Sequence, residues 1–358
     1  MAKRKIAVVF GGVSSEHEVS LRSAASVIRN MPLDQYEPVL LGITQDGVWY
    51  RYFGSVNRVE DASWIDDKEN LIPAFIAPDR RLHGMVGGTD GDDFGPARID
   101  VIFPVLHGKN GEDGTIQGLF EMAGIPYVGC PVLASAVCMD KAVTNTILDH
   151  CGIRHAPWRS LMKHELGAFE SRADEWETAL GYPMFVKPAN AGSSVGITKA
   201  ADRLALRAAL DTAFLHDDKA VIEKTIVGRE LECAVLGNLD PIASIVGEIV
   251  PAAEFYDYDE KYKSDTDNTI TQADITPQQQ AAIQKISIEA FLLLGCRGMA
   301  RVDFLMETAT GEIYLNEVNT IPGFTSISMY SKMLAASGIP YPELIARLID
   351  LAVERAGE

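Results

Sequence analysis

Residues Ile6-Ala-Val-Val-Phe10 form an unbroken apolar run that follows three basic residues, Lys3-Arg4-Lys5, and closes on Gly11-Gly12. Consecutive side chains of a strand point to opposite faces, so a run with no polar member needs cover on both faces. That is the condition of a parallel strand inside an α/β sheet. Residues 11–18 then read as a loop and 20–30 as a helix, the strand, loop and helix order with which α/β folds open. A second strand is expected over 38–44 and another over 99–105. The latter runs into Leu106-His107-Gly108-Lys109-Asn110-Gly111-Glu112-Asp113-Gly114 and a helix from Thr115. Loops at the carboxyl ends of such strands are where these sheets hold ligands. Residues 80–95, rich in Gly and Asp, read as a solvent loop.

A chain of 358 residues exceeds one ordinary core and predicts two or three domains. A second unit begins near Asp140-Lys141 with a helix to residue 150, strands at 184–188 and 195–199, a helix at 201–214 and a strand at 220–226. Val227-Gly228 reads as a hinge. Strands follow at 230–237 and 242–250, then a polar stretch, 251–275, of a length that compact domains keep mainly for function. A helix at 277–294, a hairpin and two terminal helices complete the chain. With 47% hydrophobic and 23% charged residues the composition is that of a soluble globular protein. The formal charge of −18 argues against a nucleic-acid partner, which needs a basic surface. Five cysteines, odd in number and without a Cys-x-x-Cys pair, suit reduced thiols in a cytoplasm. No segment approaches the roughly 18 apolar residues of a membrane span, so no membrane partner is expected.

The hairpin carries the chemistry. Arg301-Val302-Asp303 and Glu317-Val318-Asn319 flank a short turn, Glu307-Thr-Ala-Thr-Gly311, that sets Asp303 about opposite Glu317. Two carboxylates about 4 Å apart repel by roughly 4 kcal/mol at a surface-like dielectric, and a divalent cation removes that cost. The all-oxygen donors Asp303, Glu317 and Asn319 point to Mg²⁺ carrying phosphate. Arg301 shares a strand face with Asp303, to serve as an anion donor or as that carboxylate's ion-pair partner. Lys187 ends a strand before Ala191-Gly-Ser-Ser-Val-Gly196, whose small residues either cradle a phosphate or turn a hairpin. Glu223 and Glu230 flank the hinge, where a carboxylate can accept hydrogen bonds from a ribose or an amino group.

Taken in order, these motifs resemble the ATP-grasp superfamily, and within it the D-alanine:D-alanine ligases. The likeness runs over nearly the full length: Gly11-Gly-Val-Ser-Ser-Glu-His-Glu-Val-Ser20, His107-Gly, Gly111-Glu-Asp-Gly114, Met139-Asp-Lys141, Lys187-Pro and Gly192-Ser-Ser-Val-Gly196. It continues through Gly228-Arg-Glu-Leu-Glu232, Phe255-Tyr-Asp-Tyr-Asp-Glu-Lys-Tyr262, Arg301-Val-Asp303 and Asn316-Glu-Val-Asn-Thr-Ile-Pro-Gly-Phe-Thr-Ser326. The resemblance implies an α/β and α+β chain: an ATP-grasp fold with an N-terminal α/β (pre-ATP-grasp, Rossmann-like) domain. Its parts would be 1–139, contributing to the first D-alanine site, 140–227 as the central subdomain, and 228–358 with the metal site and a closing loop at 251–275.

By the same resemblance, ATP phosphorylates the carboxylate of one D-alanine and the amine of a second attacks the acyl phosphate, for peptidoglycan precursor synthesis in the cytoplasm. Lys141, Lys187, Ser194, Glu223, Lys224, Ile226, Glu230 and Lys261 would bind ATP, and Asp303, Glu317 and Asn319 would bind two Mg²⁺ ions, with Mn²⁺ as a substitute. Arg301 would stabilise the tetrahedral adduct, helped by backbone N–H groups around Gly323. Glu16 would hold the first substrate's ammonium, the plainer alternative being that it favours the following helix N-terminus. The Tyr262 hydroxyl would join Ser193 and Glu16 in one hydrogen-bonded set. His107 would stand near the first substrate, and Ser328 and Met329 near the carboxylate and methyl of the second. A homodimer is the implied assembly.

Three other readings stand beside this one. A ligase taking D-lactate or D-serine second would keep the same fold, although Tyr262 favours D-alanine. Another ATP-grasp carboxylate:amine ligase should lack Glu16, the Gly111–Gly114 loop and the Tyr262 element. A nucleotide-binding regulatory module would have no reason to retain Asp303, Glu317, Asn319 and Arg301 together.

Overall fold

A computed structural model describes residues 2–89, 92–192, 195–250 and 269–357. Ile6, Val8 and Phe10 fill one apolar cluster and Ala7 and Val9 another, so the opening run is buried on both faces. It belongs to β1 (Arg4–Gly11), followed by β2 (Tyr36–Ile43), β3 (Trp49–Tyr52), β4 (Leu71–Ile76), β5 (Gly84–Thr89), β6 (Asp92–Arg98) and β7 (Val101–Val105). These form one sheet in the order β6-β5-β4-β3-β2-β1-β7, with β1 parallel to both β2 and β7 and the remaining pairs antiparallel. Helix α1 (His17–Asn30) follows β1. The order reverses between β1 and β7, which opens a crevice at their carboxyl ends.

The solvent loop expected over 80–95 is instead the β5–β6 hairpin. Its glycines read as breakers but serve close approach. A Cβ at Gly87, which pairs with Ala74, would stand 2.1 Å from the Pro73 carbonyl oxygen. Gly228 behaves likewise: it opens a strand, and a Cβ there would meet the Met306 carbonyl oxygen at 2.1 Å.

A second sheet joins β8 (Trp158–Met162), β9 (Met184–Pro188), β10 (Thr198–Ala200) and β11 (Lys219–Lys224) in the order β10-β9-β11-β8. The third joins β12 (Gly228–Gly237), β13 (Ile242–Ile249), β14 (Thr269–Ile270), β15 (Gly298–Glu307) and β16 (Ile313–Asn319) in the order β14-β13-β12-β15-β16. Val302, Phe304 and Met306 alternate into a core roofed by the long helix Pro277–Leu293, which turns Arg301 and Asp303 to the other face. Strict alternation fails in β16. Asp303 pairs with Glu317 but Phe304 with Leu315, so Asn316 is an extra residue, a β-bulge. The bulge lets Leu315 and Val318, three apart, both reach the core. Among the described residues no helix is long and apolar enough to cross a membrane.

Candidate active site

Asp303 and Glu317 are register partners across β15 and β16, as are Arg301 and Asn319. The Arg301 guanidinium clasps Asp303 with two bonds of 2.7 Å, and the Asn319 amide donates to Asp303 Oδ2 at 2.8 Å. Glu232, on β12, lies 3.2 Å from Arg301 Nε. Burial works against the guanidinium's charge, but Asp303 and Glu232 outweigh it and hold Arg301 well above the ordinary arginine value. Among the described residues no group of three His, Cys, Asp or Glu side chains forms a metal cage. The donors here are two carboxylates and an amide, all hard oxygens, which suits Mg²⁺ completing its shell with phosphate and water.

Two lysines from the middle of the chain reach this hairpin. Lys141 is the first residue of the helix Lys141–Cys151, capped by Asp140, whose carboxylate accepts from the Ala142 and Val143 N–H groups and pairs with Lys219 at 2.6 Å. The Lys141 ammonium lies 2.8 Å from the Ala191 carbonyl oxygen and 3.6 Å from Glu317. Lys187, at the end of β9, pairs with Glu223 at 2.6 Å and reaches the bulged Asn316 at 3.3 Å. Burial opposes its charge, yet Glu223 and the nearby carboxylates of Glu317 and Glu230 more than compensate and raise its pKa. An anionic ligand would therefore meet the Lys187 ammonium charged.

From the first sheet comes Glu16, 6% exposed, at the N-cap position of α1. Its side chain makes no cap hydrogen bond, so helix capping does not account for it. A Cβ at Gly108 would lie 2.5 Å, and one at Gly192 3.0 Å, from Glu16 Oε2; the carboxylate fits because both neighbours are glycine. His107 is buried, which pushes its imidazole below the usual pKa. As a neutral ring it donates from Nδ1 to the Ile321 carbonyl oxygen at 3.1 Å and accepts at Nε2 from Ser23 at 3.3 Å. It thus stitches α1 to the 320–324 loop while lining the cleft.

Glu16, His107, Arg301, Glu317, Asn319, Gly323, Ser328 and Met329 line one cleft of about 140 Å³ among the described residues. Gly323 and Ser328 are tightly apposed, since a Cβ at Gly323 would stand 2.8 Å from Ser328 Oγ, which itself accepts from the Thr325 N–H at 2.9 Å. Met329 packs its methyl end against Gly247 of β13. Lys224 and Ile226 do not line this cleft; Lys224 is exposed and Ile226 buried beside the β11–β12 link. Ser193, Ser194, Lys261, Tyr262 and positions 251–268 of the expected closing loop lie outside the described residues.

Two acids of the cleft escaped sequence reasoning as site residues, Glu232 and Glu112. The signal for Glu112 was its place in the Gly111–Gly114 motif. It accepts from the Gly108 N–H at 2.7 Å and the Ile321 N–H at 3.2 Å, joining the loop after β7 to the loop after β16. Burial, then the nearby Glu16 carboxylate, push its pKa up to about 8 against those two bonds. An unfolded chain releases this proton near pH 4.5, so between there and about 8 the folded protein binds the extra proton, and stability falls as pH rises. Glu112→Gln is expected to flatten that dependence: melting temperatures recorded from about pH 5 to 9 should vary less in the variant than in the wild type. Parallel curves would refute it.

Residues 5–130 match the D-ala D-ala ligase N-terminus family, and residues 147–350 match the D-ala D-ala ligase C-terminus family. The chain is 50% identical to a D-alanine–D-alanine ligase of Thermoanaerobacter sp. over 100% of its own length and 99% of the relative's. It is 48% identical to one from Acetivibrio thermocellus, covering 99% and 96%. Among solved structures, the VanG D-Ala:D-Ser ligase from Enterococcus faecalis superposes with a TM-score of 0.89 at 40% identity, covering 98% of this chain and 100% of that one. The D-alanine-D-alanine ligase from Coxiella burnetii gives 0.85 at 36%, covering 100% and 96%.

Proposed function

This chain belongs to the D-alanine–D-alanine ligase family, and on that premise we propose that the cleft between Glu16, Arg301 and the Asp303–Glu317 pair is its active site. It is an ATP-dependent ligase with the ATP-grasp fold, joining two D-alanines for peptidoglycan precursor synthesis. The observation that carries the assignment is convergence: Glu16, Arg301, Glu317 and Asn319 line one opening, Asp303 pairs with Glu317 beside it, and Lys141 and Lys187 approach from behind at 3.6 Å from Glu317 and 3.3 Å from Asn316.

In the reaction we propose, the γ-phosphoryl group passes from ATP to a carboxylate oxygen of the first D-alanine, releasing ADP. The neutral amine of the second then attacks the acyl carbon, phosphate leaves, and the attacking nitrogen loses one proton to solvent or the departing phosphate and keeps one hydrogen as the amide N–H. Glu16 holds the ammonium of the first D-alanine, turning its carboxylate toward the phosphates. Lys141 and Lys187 neutralise the nucleotide's charge, which otherwise repels a carboxylate approaching in line. Asp303, Glu317 and Asn319 would hold Mg²⁺, two ions in our reading with Mn²⁺ as a substitute; the bound cation supplies charge neutralisation at the transferring phosphoryl group. Arg301 presents a rigid fork to the oxyanion of the adduct. Glu223, Lys224, Ile226 and Glu230 serve the adenosine end of ATP, with Ser194 and Lys261 on its phosphates. Ser193 and Tyr262 complete the Glu16 set. His107 and Gly323 shape the first-substrate side, and Ser328 and Met329 the second. We further propose the division at 1–139, 140–227 and 228–358, a closing loop at 251–275, a homodimer and a cytoplasmic setting.

Phosphate release with ATP and Mg²⁺ tests this reading directly. D-alanine alone is expected to support release, with the dipeptide confirmed by mass, and L-alanine is not. Release that needs added D-serine or D-lactate would reassign the second substrate; none with any of them would overturn the ligase reading.

A further inference from the structure

Glu232 extends the metal-type pair into a row. β12 pairs with β15 so that Glu232 lies opposite Asp303, which lies opposite Glu317 on β16. Three carboxylates thus stand side by side across three neighbouring strands, where like charges are about 4.5–5.5 Å apart at Cβ and destabilise the sheet unless a cation intervenes. Arg301 intervenes at one junction: it clasps both oxygens of Asp303 at 2.7 Å and holds Glu232 at 3.2 Å. Lys141, 3.6 Å from Glu317, serves the other end of the row.

Asp303 is engaged twice over. The oxygens that Arg301 clasps are the ones a cation needs, so a metal shell at Asp303 and the bidentate clasp compete for the same atoms. Once released by Asp303, a guanidinium with no second partner would swing toward the phosphates or solvent instead of the reacting carbon. Glu232 is buried at 8% exposure, where a carboxylate needs a partner, and it approaches Arg301 from the strand opposite β16.

We propose that Glu232 is the positioning residue that keeps the Arg301 guanidinium aimed into the cleft while Asp303 binds the metal. This rests on the active-site reading above, in that Asp303 is taken as a metal donor and Arg301 as the oxyanion donor.

Glu232→Gln keeps the shape and removes the charge. It is expected to lower kcat about 10- to 100-fold, the range typical of lost outer-shell partners, while leaving KM for ATP within about twofold. In an Arg301→Gln background the same change should cost nothing further, because Glu232 acts only through that arginine. Losses that multiply would overturn the proposal, as would wild-type kcat in Glu232→Gln. A second readout needs no turnover: the ¹⁵N–¹H signal of Arg301 Nε should remain protected from exchange on addition of Mg²⁺ and ADP to the wild type, and lose that protection in Glu232→Gln. An unchanged signal in the variant would overturn the idea as well. Should Glu232→Gln fail to fold, Glu232→Asp carries the test: the carboxylate is one methylene shorter, so kcat is expected to fall with KM for ATP within about twofold and the Arg301 Nε protection to weaken with Mg²⁺ and ADP, and wild-type kcat with full protection would overturn the proposal. A wild-type protein inactive with every substrate pair would instead fail the ligase reading and leave the exchange result to judge Glu232.

Discussion

Asp303→Asn is expected to reduce turnover by at least about 10³-fold, since removing one anionic donor forfeits several kcal/mol of charge stabilisation at the phosphoryl group, and each 1.4 kcal/mol is tenfold. The fold should survive. Asparagine is isosteric and Arg301 retains Glu232 at 3.2 Å, so the guanidinium is not stranded. Turnover measured across a Mg²⁺ titration, beside a thermal melt, checks both halves. Wild-type kcat at any Mg²⁺ concentration would end the metal assignment, whereas a collapse of the melt would show that Asp303 holds the hairpin together through Arg301 and Asn319.

The second large effect belongs to Arg301→Lys, a change that keeps the charge. The guanidinium is held by two bonds to Asp303 and one contact to Glu232 in a plane that an ammonium cannot reproduce. Loss of one preorganised oxyanion donor costs about 10²- to 10³-fold in kcat. That loss is expected with KM for ATP nearly unchanged, because the lysines we assign to the nucleotide, Lys141 and Lys187, have their own partners in the Ala191 carbonyl and Glu223. A variant whose KM for ATP rises while kcat holds would place Arg301 on the nucleotide instead.

Much of this site could be read from the chain because its parts are local. The turn at Glu307-Thr-Ala-Thr-Gly311 is short enough to set the pairing of Asp303 with Glu317, and the structure has that register. The both-faces burial of β1 follows from its uninterrupted apolar run. What escaped depends on partners distant in sequence. Alternation sets Glu230 and Glu232 on one face of β12, but only the pairing with β15 decides which of them meets Arg301. The glycines of 84–88 look like punctuation, and only the neighbouring strand shows that Gly87 is small because a carbonyl lies against it. His107 is similar: nothing near it in the chain foretells that Ser23 and Ile321 occupy both ring nitrogens.

The bulge at Asn316 also bears on how this strand can change over evolutionary time. Substitutions along β16 are local events, but a deletion is not, because the strand counts in twos. Removal of Asn316 is the exception: it would restore strict alternation, with Leu315 and Val318 two apart and both still in the core, and Glu317 and Asn319 still toward the cleft. What would be lost is the contact between Lys187 and Asn316. The extra residue is thus kept by the cleft and not by the core, and lineages of this chain that lack it should also have changed the partner of the lysine at the end of β9.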